Sequence, residues 1–211
     1  MSQQELLQIV DPTTGEPTGE HVSRAELYTQ KLWCRTTNIF ILNTEGQILC
    51  HRRPMDKENF PGAWSTHFGG HIVEGESFKM GALKELEEEV GLSVNPYQLI
   101  PWRTSRINAQ RIWVRDFITV FEGDIANLKL QESEIMEIGW YSPQEILDAL
   151  DIQGVDNRVN GSAMWMAGTH DFNADYQCMR AVLTAAMDLG IFGGDFKPLH
   201  KWHPPKHDPS A

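Results

Sequence analysis

The sequence predicts one domain of the α+β class. Runs rich in β-branched and aromatic residues alternate with segments of helical spacing. One of those segments, residues 77–90, carries both a start and a stop signal for a helix. Neither an internal repeat nor a clear linker divides the chain, and 211 residues suit one sizeable core and are marginal for two.

Taken in order, "LLQIVD" reads as a strand and "PTTGEPTGE" as a Pro/Gly-rich turn. "SRAELYTQKLW" fits a short helix capped by Ser23. "TTNIFILN" and "ILCHRR" flank the polar turn "TEGQ" with Gly46, which predicts a hairpin. "PMDKENFPG" is a loop, and "AWSTHFGGHIV" has strand propensity interrupted at Gly69 and Gly70, a pattern that marks a close approach of backbone. The strong helix follows, with Ser77 as N-cap and Gly91 just past its end. Strands are expected near residues 97–103, 112–121 and 134–141. "SPQEILDAL" reads as a helix with Ser142 as cap and Pro143 at its first position. Residues 151–171 read as irregular. Tyr176, Met179, Leu183 and Met187 are spaced as one face of a last helix, and the Pro-rich end reads as a surface tail.

Composition narrows the function. Apolar residues make up 41%, ordinary for a globular protein. Eighteen Lys and Arg against 29 Asp and Glu leave a net charge of -11. Such a surface repels nucleic acid and anionic membranes, so neither is expected as a partner. A small anionic substrate then requires a local basic patch or a metal. "MSQQELLQIV" has no basic start and no long apolar run, no stretch suits a membrane helix, and Cys34, Cys50 and Cys178 form neither a metal pattern nor a disulfide framework. The expectation is free thiols and a cytoplasmic protein.

The segment "ALKELEEEVG" concentrates the charge. On a helix at 100° per residue, with Glu85 as origin, Glu88 falls at about -60° and Glu89 at about +40°. Leu83, Leu86 and Val90 form an apolar stripe beside them, and Glu87 points elsewhere. Acidic runs usually face water. Three like charges within one turn also weaken a helix by tenths of a kcal/mol per pair, and a hard divalent cation reverses that sign.

The flanks sharpen the choice. "GGHIVEGESFKMGALKELEEEVGL" resembles the Nudix box, G-x5-E-x7-R-E-U-x-E-E-x-G-U, where U is apolar. Gly70, Glu76, Glu85, Leu86, Glu88, Glu89, Gly91 and Leu92 stand at its fixed positions; Lys84 stands where the arginine belongs. The box spans residues 70–92, and a looser resemblance runs from about residue 7 to 150. It implies a Nudix α/β/α sandwich with a mixed β-sheet, over about residues 1–150 of a single domain. A helical extension over about 151–195 and a tail over about 196–211 would complete it.

The resemblance further implies a hydrolase that cleaves a diphosphate bond in a small molecule of nucleoside diphosphate-X type. Mg²⁺, or Mn²⁺, would be the cofactor. Glu88 and Glu89 would bind it, with Glu85 as a further ligand or an aid to water activation and the Gly69 carbonyl as an extra ligand. Gly70 and Glu76 would support the loop around them. Lys84 supplies charge without an arginine's two-pronged hydrogen bond, which bears on how Glu85 is positioned.

Upstream, "RRPMDKENFPGAW" and "IVDPTTGEPTG" resemble the branch that contains type I isopentenyl-diphosphate isomerase. Arg53 and Lys57 match that family's diphosphate-holding positions, and Arg52 adjoins them. The isomerase places its cysteine before a Gly-His pair, where this chain has Gly69, and it lacks carboxylates at Glu85 and Glu88. His71 matches one of its metal-ligand positions, but its other histidines have no counterpart. The likeness is therefore to isomerase-like Nudix hydrolases. The isomerase and a non-catalytic binding module remain as alternatives.

Glu132 and Glu134 are both candidates for a further ligand or base, and the sequence does not choose between them. Trp64 and His67 are expected to pack, with stacking on a substrate as the alternative. Arg103, Arg106 and Arg111 are weaker phosphate candidates. His200, His203 and His207 read as parts of a solvated tail. A homodimer is the general expectation for such an enzyme.

Overall fold

A computed structural model describes residues 5–155, 165–166 and 172–192. The elements run β1 (Leu6–Val10), β2 (Pro17–Ser23), α1 (Arg24–Gln30), β3 (Cys34–Leu42), β4 (Ile48–Arg52), β5 (Trp64–Ser65), α2 (Phe78–Val90), β6 (Ile100–Ile107), β7 (Ile112–Val120), β8 (Glu137–Tyr141), α3 (Pro143–Val155), β9 (Trp165–Met166) and α4 (Phe172–Asp188).

β3 is the axis of the sheet. It pairs in parallel with β7 along its whole length, from Cys34 opposite Ile112 to Leu42 opposite Val120, and β7 pairs antiparallel with β6. Its antiparallel hairpin partner β4 continues into β5 and β8. The sheet is therefore mixed. Side chains on β3 alternate between its faces. Ile39 and Ile41 join Leu49, Phe68 and Phe117 against Ala82, Leu86 and Val90 of α2. Phe40 and Leu42 join Ile48, Cys50 and Ile118 against Tyr176, Met179 and Leu183 of α4. One strand thus feeds two cores, and the result is the three-layer α/β/α sandwich.

The caps are those the sequence announces. Ser23 and Glu26 form a reciprocal capping box at α1, and Ser142 and Glu145 do the same at α3. Ser77 Oγ accepts the Met80 N–H, and Gly91 closes α2 with φ 66° while Leu92 N–H reaches the Leu86 carbonyl.

Several expectations are corrected. Residues 17–20, read as turn, are the start of β2, an edge strand paired to β1, and Pro17 stands at its first position, where a missing N–H costs nothing. β6 runs on to Ile107. The expected irregular stretch after residue 150 is helical to Val155 and contains β9, which pairs in parallel with β5; its remainder lies outside the described residues. So do the tail and its three histidines. Cys34 and Cys50 are buried, Cys178 is exposed, and all three are free thiols. Among the described residues no helix is long and apolar enough to cross a membrane.

Leu183 on α4 is fully buried in the core facing Phe40. Leu183→Ala should lower unfolding free energy by about 2–5 kcal/mol, measured by urea denaturation. A change within error would mean that α4 does not belong to the cooperative fold.

Candidate active site

The site begins with an interruption of the sheet. Phe68 and His71 form isolated antiparallel bridges to β3, opposite Ile39 and Thr36, and Val73 forms one to β1, opposite Leu7. Thr37 N–H donates to the Gly70 carbonyl at 2.9 Å, and Ile39 N–H to the Phe68 carbonyl at 2.8 Å. Gly69, between them, takes φ +133°, and a Cβ there would lie 2.1 Å from the Thr37 carbonyl oxygen. A Cβ on Gly70 would lie 2.2 Å from Glu85 Oε1. Gly69 is therefore a steric requirement set by the strand below, whereas a side chain at Gly70 would displace the Glu85 carboxylate from its place.

Two glutamates of α2 turn into this hollow. Glu89 is 7% exposed, and its Oε2 accepts the Gly69 N–H at 3.2 Å. Glu85 covers Gly70. Neither forms a salt bridge among the described residues. Burial, followed by the neighbouring Glu85 charge, pushes the Glu89 carboxyl up to about 8. Burial, then Glu88, raises Glu85 to about 7. Glu88 is exposed and lies 3.9 Å from Lys84 Nζ. The three-carboxylate face read from helical angles thus divides: two members are inside and one is in solvent. Among the described residues no three acidic, His or Cys side chains are gathered tightly enough to form a ready cage for a metal ion.

Lys84 holds the outer side of this face. Its Nζ lies 3.1 Å from Glu5, 3.7 Å from Glu76 and 3.9 Å from Glu88. It forms no ion pair with Glu85. Glu5 is a partner the sequence reading missed, because it lies far away in the chain and belongs to no motif. His71 points to the same outer side, edge-on to Tyr28 with centroids 6.2 Å apart, and burial lowers its imidazole to about 4.

The basic loop sits across the hollow. Lys57 Nζ pairs with Glu134 Oε1 at 2.7 Å. Arg53 Nε donates to the Asn59 carbonyl at 3.2 Å, and its charge is felt at Glu89. Arg52 is turned to structural use, with Nε on the Gly62 carbonyl at 3.1 Å and a terminal nitrogen 3.7 Å from Glu137. Between Glu132 and Glu134 the geometry separates the two. Lys129 and Gln131 N–H donate to the Val90 and Glu89 carbonyls, stitching their loop to the end of α2. Glu134 then raises both Glu85 and Glu89 electrostatically, whereas Glu132 is exposed.

The weaker arginine candidates are otherwise engaged. Arg103 pairs with Asp116 and Asp175, Arg106 lies over Trp33, and Arg111 donates to the Lys31 carbonyl. Trp64 is buried in the α4-side core, as expected of a packing residue.

The NUDIX domain profile matches residues 33–159. A protein called "Uncharacterized Nudix hydrolase PA4841" from Pseudomonas aeruginosa is 32% identical over 70% of this chain and 84% of its own length. "Uncharacterized Nudix hydrolase YfcD" from Escherichia coli K12 is 31% identical over 68% of this chain and 78% of its length. An isopentenyl-diphosphate Delta-isomerase from Paenarthrobacter aurescens is 27% identical over 72% and 83%. The crystal structure of DR0079 from Deinococcus radiodurans superposes with a TM-score of 0.62 at 20% identity, covering 76% of this chain and 92% of its own, and so shares the fold.

The raised carboxyls make a stability prediction. Each holds a proton in the folded state at a pH where the unfolded chain has lost it. Their contribution is fully present below about pH 4.5 and is lost as pH rises through about 7 to 8. The histidines His51, His67 and His71, lowered to about 3 to 4, act oppositely but only below about pH 6.5. In EDTA, the melting temperature should therefore fall between about pH 6.5 and 8.5, by about 2–4 °C per kcal/mol. Glu89→Gln should flatten that fall. An equally steep fall in the variant would contradict the assignment.

Proposed function

The chain belongs to the NUDIX domain family, and from that premise we propose that it is a hydrolase cleaving a diphosphate bond in a small molecule of nucleoside diphosphate-X type, with Mg²⁺ or Mn²⁺ as cofactor. The observation that carries this reading is the pair Glu85 and Glu89, sunk onto the Gly69–Gly70 backbone without a salt-bridge partner among the described residues. Two carboxylates so placed, one buried and one half-buried, repel when both are ionised, and a hard divalent cation removes that cost. Their oxygens suit such an ion.

Glu85, Glu89 and Glu88 would hold the cation, with the Gly69 carbonyl as a further oxygen donor. Glu88 needs only to leave a loose 3.9 Å contact with Lys84. When bound, the ion neutralises charge on the diphosphate oxygens and acidifies water for in-line attack on phosphorus. Arg53 and Lys57 bind and orient the diphosphate from the opposite side of the hollow. Lys57 would exchange its bond to Glu134 for a phosphate oxygen, which releases Glu134 Oε1 to accept the proton of the attacking water. Lys84 and Glu76 brace the outer side of the acidic face.

The isomerase alternative meets a steric objection. A cysteine at Gly69 would need a Cβ where the Thr37 carbonyl already stands, on a backbone with φ +133°. That position accepts no side chain without moving the strand beneath it. A non-catalytic module would have no use for two carboxylates without a cationic partner among the described residues beside a basic loop.

Phosphate release with Mg²⁺ across a panel of nucleoside diphosphates, triphosphates and sugar nucleotides tests the proposal, alongside NMR of isopentenyl diphosphate. Glu85→Gln, Glu88→Gln and Glu89→Gln should each cut turnover by about a hundredfold or more with the fold intact. Near-normal rates in all three at saturating Mg²⁺, or conversion to the dimethylallyl isomer without phosphate release, would overturn it. Lys84→Arg should keep or raise the rate.

A further inference from the structure

Glu5 stands outside the box and outside the residues 33–159 that the NUDIX profile matches, yet its carboxylate pairs with Lys84 of α2. Backbone pairing brings it there. Glu74 N–H donates to the Leu6 carbonyl at 3.0 Å, Gln8 N–H donates to the Ile72 carbonyl at 3.3 Å, and Leu7 bridges Val73. The start of β1 is thus laid along the segment that leads into Glu76. The residue just ahead of that strand meets α2 from its outer side.

Of the three carboxylates around Lys84, Glu5 alone is within hydrogen-bond reach. Its Oε1 accepts from Lys84 Nζ at 3.1 Å, whereas Glu76 and Glu88 stand off at 3.7 and 3.9 Å. Residues 84 and 88 are one turn apart on the same helix face, so the helix itself would favour a closer contact between them. Held by Glu5, the ammonium leaves Glu88 only loosely engaged. That looseness has a use. Among the described residues no three acidic, His or Cys side chains are already gathered to hold an ion, so Glu85 and Glu89 need a third carboxylate to swing in. Glu88 is exposed and next to them in sequence, and Lys84 is the cation that would hold it out. Glu5 also lies close enough for its charge to be felt at Glu85.

We propose that Glu5 is a positioning residue for the metal site: it ties back Lys84, so that Glu88 is free to join Glu85 and Glu89 on a divalent cation. The inference rests on the metal-dependent hydrolase reading and adds to it a residue that the box does not contain. Lys84 is then shared between two competing carboxylates, and the one from the start of β1 decides how firmly the one on α2 is restrained. A merely structural ion pair on the surface would shift the melting temperature slightly and leave metal affinity alone.

Titration with Mn²⁺, followed through the EPR signal of the free ion, tests this without reference to turnover. Glu5→Gln should weaken Mn²⁺ binding by about threefold or more, with the fold intact. In a Lys84→Gln background, and equally in a Glu88→Gln background, the same substitution should weaken binding no further, because one member of the competing pair is gone. The Glu88→Gln background carries the comparison should Lys84→Gln fail to fold. Glu20→Gln, an equal loss of charge on the exposed part of β2, should leave the affinity as it was. An unaltered affinity in Glu5→Gln would overturn the proposal and leave the metal reading in place. So would an equal loss in both altered backgrounds, or an equal loss from Glu20→Gln, since either would reduce Glu5 to its charge alone. No Mn²⁺ binding by the unaltered protein would overturn both.

Discussion

The contact between the Gly69–Gly70 backbone and β3 is the constraint from which the rest of the site follows. A backbone laid this close onto a strand has no space for a side chain below, at Gly69, and a carboxylate directly above, at Gly70. The vacated volume is what admits Glu85 and Glu89 from α2. The same bridges fix the start of the box relative to the sheet, and Ser77 then sets where the helix begins. Glu88 and Glu89 are neighbours in sequence, yet one is solvated and the other is sealed. The difference is a rotation of 100° about a helix whose distance from the glycines is fixed by Leu86 and Val90 in the core.

Much of this was legible before any coordinates. Ser77 and Gly91 bound α2 because capping chemistry is local, and the hairpin of "TTNIFILN" and "ILCHRR" was readable from its polar turn for the same reason. The acidic face and the basic loop were likewise readable, since fixed spacing carries them. The failures share a cause, which is that the deciding partner lies elsewhere in the chain. Pro17–Ser23 looks like turn until β1 is alongside it. Lys84 finds Glu5, and Glu134 is separated from Glu132 only by where the Lys129–Gln131 stitches leave each of them.

The charge distribution reconciles an acidic protein with the anionic substrate proposed for it. A net charge of -11 is spread over the surface, where salt screens it within about 10 Å. Arg53 and Lys57 stand beside the hollow where, on the proposed reading, a cation counters the carboxylates. Elsewhere the arginines are spent on structure: Arg35 on the Gly15 carbonyl, Arg52 on Gly62, Arg111 on Lys31. The few positive groups left near the hollow therefore act against little local competition.

The loop that follows β7 is fastened to the last turn of α2 through Lys129 and Gln131, and to the sheet through Met136 N–H on the Arg52 carbonyl of β4. Glu134 is thereby held between the helix that carries Glu85 and Glu89 and the strand that leads into the Lys57 loop. The length of the segment between the stitches and Glu134 works as a ruler, and a single inserted residue there would retune the reach of that carboxylate while the barrel of the helix stayed still.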